Sequence, residues 1–315
     1  MELKFQKSAC QYLQNILREV RNQEQTQEIR LSDGMPDIGR ILGSWGQVIL
    51  RSKEWQSDAV SFSGGIMIWV LYAPEDGTDA RCVESWIPFQ MEWEIPSGTR
   101  EGDIRITPLL RFVDARSVSA RKLMVRAGVA ALGEAMVSST AELPTEEDLD
   151  EDIQLLKTSY PIRLVKEAGE KTFQLDEDLT LPASCPMAEK LLAYTVNPEV
   201  TEMRVSGKRL IFKGNGNLHV LYRGEDGKVY GWDFELPFSQ LANLEESYEG
   251  DPQGNLVLCC TGLELDLDEE SHFRVKCGLV AQFSVNCRQM VHAVQDAYSP
   301  AREVCRSVFR CGCCR

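Results

Sequence analysis

Four cysteines stand close together near the end of the chain, and thiol chemistry is the first chemistry that this sequence suggests. They fall within ten residues and are interleaved with arginines: Cys305, Cys311, Cys313 and Cys314. Four thiolates could bind zinc in a tetrahedral site, but the adjacency of Cys313 and Cys314 makes the spacing poor for that role. Exposed thiols could instead cross-link chains under oxidising conditions. We therefore keep these four cysteines only as weak metal candidates.

Residues with active-site chemistry are sparse elsewhere in the chain. Only three histidines occur, His219, His272 and His292, and none lies in a His-Glu-x-x-His pattern. The acidic pair Glu75-Asp76 precedes a glycine between two apolar runs, which favours a turn over acid–base catalysis. The sequence contains neither a Gly-x-Ser-x-Gly elbow nor a P-loop. We therefore expect a non-enzymatic protein without catalytic residues or a cofactor.

Composition and charge restrict the partners and the compartment. The 315 residues carry a formal charge of −14 with a pI near 4.8, whereas nucleic-acid binding needs clustered Lys and Arg. We expect no nucleic-acid partner. The longest apolar stretch, residues 64–74, is too short for a transmembrane helix, and no secretory signal is visible. Eleven cysteines, an odd number, indicate free thiols in a reducing compartment, so we expect a cytoplasmic protein.

An internal repeat is the strongest organisational signal. Residues 31–77 align without a gap to residues 181–227, and 11 of the 47 pairs are identical. Chance would give roughly three identical pairs at ordinary residue frequencies. The similarity continues beyond these segments, because Pro88-Phe89 matches Pro237-Phe238. The sequence therefore predicts two copies of one module, each of about 150 residues.

Strand signals dominate both copies. Residues 60–72 and 209–222 are rich in β-branched and aromatic side chains, and each run leads into Glu-Asp-Gly, a hairpin signal. We predict a mainly β fold with two tandem, homologous, antiparallel β-sandwich or barrel-like domains and short helices. A short helix or turn is expected after Pro36 and after Pro186. Residues 7–21 carry an apolar stripe that fits a helix, but the second copy reads as a strand here, so this element stays open.

The repeat sets the domain boundaries. Residues 1–140 form the first predicted domain and residues 153–300 the second. Residues 141–152 hold seven acidic side chains in twelve, which indicates a solvated linker; an acidic docking segment for a basic partner is the alternative. The Cys/Arg-rich residues 301–315 lie where a further copy would begin. We favour a truncated start of such a unit over cross-linking, and cross-linking over zinc binding.

Several motifs, taken in order, resemble a known family. Residues 29–42 read IRLSDGMPDIGRIL, and residues 62–77 begin with FSG and end with VLYAPEDG. Residues 86–89 read WIPF and residues 296–300 read DAYSP. This order is similar to the SPOCS-domain family of clostridial spore-coat morphogenesis proteins, the SipL-like proteins. The second copy departs from the pattern, because no Asp follows Pro186.

The resemblance implies a scaffold in spore-coat or spore-envelope assembly. SipL-like proteins act in the mother-cell cytoplasm at the forespore surface and bind the ATPase that polymerises into the basement layer of the coat. Such an ATPase is therefore the candidate protein partner. In the family this contact is attributed to a C-terminal LysM domain, which we do not expect within these residues, so the ATPase stays a candidate partner without an assigned contact.

Two other functions remain open at this point. A glycan- or cell-wall-binding β module could use strand-borne aromatics such as Trp69, Trp86 and Trp93, although we favour these residues as core. An enzyme with an unrecognised constellation is the third hypothesis. The sequence does not indicate the oligomeric state.

Overall fold

The structure, a computed structural model of the chain, describes residues 6–145, 153–268 and 270–301. Every regular element in these ranges is a β-strand, which confirms the predicted mainly β fold. The strands are β1 (Gln6–Arg30), β2 (Ile38–Trp55), β3 (Ala59–Pro74), β4 (Arg81–Glu94), β5 (Asp103–Ser119), β6 (Lys122–Thr145), β7 (Gln154–Thr180), β8 (Ala188–Gly224), β9 (Val229–Tyr248), β10 (Gln253–Leu267) and β11 (His272–Tyr298). No helix that could cross a membrane is found in the described part of the chain.

The strands form four antiparallel sheets. Their orders are β1-β6-β5, β2-β3-β4, β10-β11-β7 and β8-β9, and within the described ranges none of them closes into a barrel. In the first sheet β1 pairs with β6 over almost the whole length of both strands, from Gln6 opposite Thr145 to Arg30 opposite Lys122. Residues 141–145, which we predicted as the start of an acidic linker, therefore belong to β6.

The predicted short helices are absent from the described residues. Residues 7–21 lie inside β1, although their apolar spacing fits a helix, because pairing with β6 satisfies the backbone of this segment. The segment after Pro36 runs directly into β2, which starts at Ile38. The turn lies before the proline, where the N–H of Met35 donates to the carbonyl oxygen of Ser32 (3.0 Å). The expected short helix or turn after Pro36 is therefore wrong, and the same holds after Pro186, because β8 starts at Ala188.

The strand order recurs along the chain, with one difference. β8 covers in one continuous strand the positions that β2 and β3 cover in the first half. Gly207 has a φ of +58°, a conformation that glycine adopts without a steric penalty, and β8 folds back at this point. The hydroxyl of Thr201 reaches the carbonyl oxygen of Lys213 across the fold (3.4 Å).

Several contacts recur 150 positions further on. The hydroxyl of Tyr72 donates to the carbonyl oxygen of Pro36 (2.9 Å), and that of Tyr222 donates to the carbonyl oxygen of Pro186 (3.3 Å). These hydrogen bonds fasten the turn before β2 to β3, and the turn before β8 to the C-terminal part of β8. The division of the chain into two domains at the stated boundaries stays a prediction.

Two glycines keep equivalent strands close together. A methyl group at Gly64 would collide with the carbonyl oxygen of Ile49, and a methyl group at Gly214 would collide with that of Glu199. Gly214 and Glu199 each lie 150 positions after their counterparts Gly64 and Ile49, so the same close backbone approach occurs once in each half. Any larger residue would push these strands apart.

The buried hydrophobic side chains form two cores, and each half of the chain contributes some side chains to the core of the other half. The even-numbered residues of β3 from Ile66 to Tyr72 point into the core of the first half. Trp69, on the opposite face of β3, packs into the core of the second half against Tyr194, with ring centroids 4.8 Å apart. In return Cys259 and Val280 contribute to the core of the first half. Burial of these side chains holds the two halves together through the hydrophobic effect.

Candidate functional site

The contact between the two halves centres on a buried glutamine. Gln282 on β11 is only 1% exposed, and its carboxamide faces the edge strand β5. Its Oε1 accepts a hydrogen bond from the N–H of Ile106 (2.9 Å), and its Nε2 donates to the carbonyl oxygen of the same residue (2.7 Å). Buried backbone groups are costly when unpaired. The side chain therefore replaces, at this residue, the peptide group of a neighbouring strand.

A second glutamine makes a similar contact in the opposite direction. Gln47 lies on β2, and its Oε1 accepts a hydrogen bond from the N–H of Val196 on β8 (3.0 Å). Its Nε2 donates to the carbonyl oxygen of Val48 (3.3 Å). Each half thus contributes one glutamine that satisfies an edge strand of the other half. An edge strand whose backbone groups are occupied is a poor template for unwanted strand pairing.

Lys53 adds a charge to this contact. Its Nζ donates to the carbonyl oxygen of Ile104 (2.9 Å) and to Oε1 of Gln282 (3.1 Å), and it forms an ion pair with Glu170 of β7 (2.6 Å). The nearby Asp103 is partly buried, and this burial raises its pKa while the Lys53 ammonium opposes the rise. The lysine therefore links three strands through one ammonium group.

A buried ion pair completes the contact. Nε and Nη2 of Arg105 both lie 2.6 Å from Oε2 of Glu134, whose side chain is almost fully buried. Arg18 approaches the other carboxylate oxygen of Glu134 (3.4 Å), and Nη1 of Arg105 reaches Ser284 of the second half (3.5 Å). The two guanidinium groups thus provide hydrogen-bond donors and opposite charge to both oxygens of this buried carboxyl group. In this arrangement it positions β5 against β6 and β11.

An open cleft lies beside this contact. It has a volume of about 510 Å³, and equivalent segments of the two halves line it: residues 45–48 with 195–198, and residues 108–110 with 258–260. None of the residues lining the cleft is charged, although 26% of the chain is. Two large apolar side chains remain accessible at this cleft, Trp45 with 38% and Leu109 with 64% of its surface exposed. Such exposed apolar residues around an uncharged cleft favour a protein contact.

His219 and His272, which the sequence analysis considered for chemistry, do not line this cleft. The four C-terminal cysteines lie outside the described residues, as does the side chain of His292. His219 pairs with Asp233 on the exposed face of the β8-β9 sheet, and His272 lies 3.4 Å from Asp268. Among the described residues, no group of three or more His, Cys, Asp or Glu side chains could hold a metal ion.

The acidic pair Glu75-Asp76 lies in a turn, as its sequence context indicated. The hydroxyl and N–H of Thr78 both donate to Oδ1 of Asp76 (2.7 and 3.0 Å), and these hydrogen bonds lower the pKa of that carboxyl group. Gly77 follows with a φ of +73°. The carboxylate therefore serves to close the turn between β3 and β4.

The three tryptophans considered for glycan binding are packing residues. Trp69 and Trp93 are fully buried, and Trp93 stacks on Phe62 with ring centroids 5.6 Å apart. Trp86 is half-buried, and the guanidinium of Arg51 lies 5.2 Å from its ring centroid. The three rings therefore offer no common exposed groove to a sugar.

The glutamine contacts were missed by the sequence reasoning. A signal was present, because Gln282 interrupts the apolar run 279–283, where the first half has Leu132. A polar residue in a buried strand needs a hydrogen-bonding partner. The partner was not predictable, because Ile106 lies 176 positions earlier in the chain.

Comparison with protein families gives a match over part of the chain. Residues 187–259 match the family model described as SipL, SPOCS domain. This match confirms the predicted resemblance to the SPOCS-domain family over these residues, which run from just before β8 into β10. No curated protein and no solved structure matches the chain.

Proposed function

We propose that this chain is a non-enzymatic interaction protein of sporulation, a scaffold in the assembly of the spore coat or spore envelope. The SPOCS-domain match at residues 187–259 is the observation that carries this proposal. Support also comes from the polar groups between the two halves. Gln282, Gln47, Lys53 and Glu134 are all engaged in bonds that hold strands together. Groups used in this way stabilise a scaffold rather than turn over a substrate.

The scaffold acts, in this proposal, in the mother-cell cytoplasm at the forespore surface. Its partner is a protein of the assembling coat, and a basement-layer ATPase is the first candidate. The uncharged cleft between the halves is the proposed contact. A charged partner segment would lose its hydration there without gaining an ion pair, so the segment that binds is apolar or neutral. Trp45 and Leu109 are the side chains of this protein that contact the bound segment.

Localisation during sporulation tests the proposal. A fluorescent fusion of the full chain is expected to concentrate around the forespore in a sporulating clostridial host. Leu109→Ser is expected to weaken this localisation, because it removes an apolar anchor from the cleft. Leu241→Ser is the matched control, since Leu241 is also an exposed leucine (47%) but lies on β9, away from the cleft. Diffuse fluorescence of the unmodified fusion throughout sporulation would contradict a role at the forespore.

A biochemical comparison tests the cleft itself. Cross-linking in sporulating cells is expected to join the wild-type chain and the Leu241→Ser control to the same coat protein, and to join Leu109→Ser less efficiently. Both substitutions are at exposed positions, so neither should lower the melting temperature appreciably. Equal cross-linking of all three proteins would exclude the cleft as the contact while leaving the sporulation role to the localisation experiment.

A further inference from the structure

The two halves meet at a second place, where a β-bulge directs a lysine across the contact. β1 and β7 have a bulge at equivalent positions: Ile16 is skipped in the pairing of β1 with β6, and Lys166 is skipped in the pairing of β7 with β11. A bulge turns the extra residue out of the regular alternation. Ile16 packs against the core of the first half, whereas Lys166 reaches β1 of the other half.

At the end of this reach the lysine meets a thiol. Nζ of Lys166 donates to the carbonyl oxygen of Gln11 (2.6 Å) and lies 3.7 Å from Sγ of Cys10. Cys10 is only 4% exposed, and its thiol donates to Oε1 of Gln289 on β11 (3.0 Å). The hydrogen bonds from Lys166 to Gln11 and from Cys10 to Gln289 therefore hold an amine and a thiol from different halves in contact.

We infer that Cys10 and Lys166 are a site of oxidative modification, at which one oxygen atom bridges Sγ and Nζ and joins the two halves covalently. The oxidant is molecular oxygen. The thiol, the neutral amine and one O₂ give the S–O–N bridge and one water molecule. The S–H bond and one N–H bond break, and an S–O bond and an O–N bond form. Sulfur and nitrogen each lose two electrons, and the two oxygen atoms take up all four.

The geometry favours this product over deeper oxidation of the cysteine. A solvent-exposed thiol passes through the sulfenic acid to higher acids, but Cys10 is shielded from solvent and the Lys166 nitrogen lies 3.7 Å from its sulfur, where it can share one oxygen atom with it. The flexible four-carbon stem of lysine allows Nζ to approach the sulfur without moving a strand. A second thiol, Cys287, lies near Lys166, and burial raises its pKa while the Lys166 ammonium opposes that rise. A disulfide between Cys10 and Cys287 is the competing product that the experiment has to distinguish.

Peptide mapping by mass spectrometry tests the inference on the full chain. After exposure of the purified protein to air-saturated buffer, we expect a peptide pair that joins Cys10 to Lys166. Its mass exceeds the sum of the two peptides by one oxygen atom and falls short by two hydrogens. Dithiothreitol removes the link, anaerobic handling prevents it, and the melting temperature of the oxidised protein shifts upward because the unfolded chain is constrained.

Variants identify the atoms. Lys166→Arg keeps the positive charge but removes the amine, and Cys10→Ser removes the sulfur; both are expected to abolish the link. Lys171→Arg, on the same strand, is the control and is expected to retain it. The inference is overturned if oxygen leaves Cys10 as a free thiol, converts it only to its acids, or joins it to Cys287. The mass of the wild-type peptides decides this even if a variant folds poorly.

Discussion

The carboxamide of Gln282 occupies both backbone hydrogen-bonding groups of Ile106, a residue in the other half of the chain. The two distances, 2.9 and 2.7 Å, are those of ordinary hydrogen bonds. Cys259 adds a third contact, since its thiol lies 3.4 Å from the same carbonyl oxygen. Gln282 belongs to the second half, and it pairs with the edge strand of a sheet in the first half. We therefore expect the stabilities of the two halves to be coupled.

Gln282→Ala should destabilise the protein by about 1–3 kcal/mol, because it leaves the buried N–H of Ile106 unpaired and leaves its carbonyl oxygen with only the Cys259 thiol. Urea unfolding followed by circular dichroism measures the change. Gln90→Ala removes an exposed glutamine from β4 and is the control, with an expected effect within about 0.5 kcal/mol. A Gln282→Ala protein as stable as this control would mean that the interaction with Ile106 contributes little.

Glu134→Ala should cost about 3–5 kcal/mol, because it leaves the guanidinium of Arg105 buried without its partner. Replacing both residues, as in Glu134→Leu with Arg105→Met, should cost clearly less than the single change. The difference appears in a double-mutant cycle of unfolding free energies. Additive effects of the two single changes would show that the ion pair is not energetically coupled.

Gly64→Ala and Gly214→Ala should each destabilise the protein by about 1–3 kcal/mol, since the new methyl group meets the carbonyl oxygen of an adjacent strand. Gly34→Ala is the matched control, because a methyl group there meets nothing within 4 Å. Thermal melting of the three variants checks the expectation. If only one of the two buried glycines is sensitive, the close approach matters in one half alone.

Asp103→Asn should change the pH dependence of stability. Burial raises the pKa of Asp103 in the folded protein above its unfolded value, near 3.9. The folded state therefore takes up a proton before the unfolded state does as pH falls. The wild-type protein gains stability from this residue on acidification, and the charged carboxylate costs stability at neutral pH.

The measurement is the difference in unfolding free energy between the Asn variant and the wild type. This difference should favour the variant at about pH 7 and shrink towards about pH 4. Asp33→Asn, at an exposed residue, controls for removal of one negative charge. A difference that is the same at both pH values would show that the carboxyl group at position 103 does not titrate differently on folding.

The strands could be predicted where the pattern of residues and the tertiary structure agree. The run at residues 60–72 is apolar and β-branched, and it became β3, which is buried on both faces. Residues 7–21 show where the pattern fails. Their apolar spacing fits a helix, yet Val20 is exposed and the segment pairs with β6. Pairing partners more than 100 positions away decided this element, and local spacing carries no information about them.

The residues at the contact between the two halves could not be predicted from the sequence either. The sequence drew attention to cysteines, histidines and acidic residues, whose chemistry is recognisable from their type. The contact between the halves depends instead on Gln282, Gln47 and Lys53, residue types that are ordinary on any surface. Their role follows only from burial next to an unpaired backbone group, and burial is a property of the folded chain.

The sequence by itself determined the strand-rich fold, the offset of 150 between matching segments and the likeness to the SPOCS-domain family. These properties are carried by residue types and their spacing, which are present before folding. The tertiary structure alone decided which side chains cross between the halves. Ile106 and Gln282, or Cys10 and Lys166, come together only when distant strands pack, because hydrogen bonds and contacts depend on distances of a few ångströms that sequence separation does not fix.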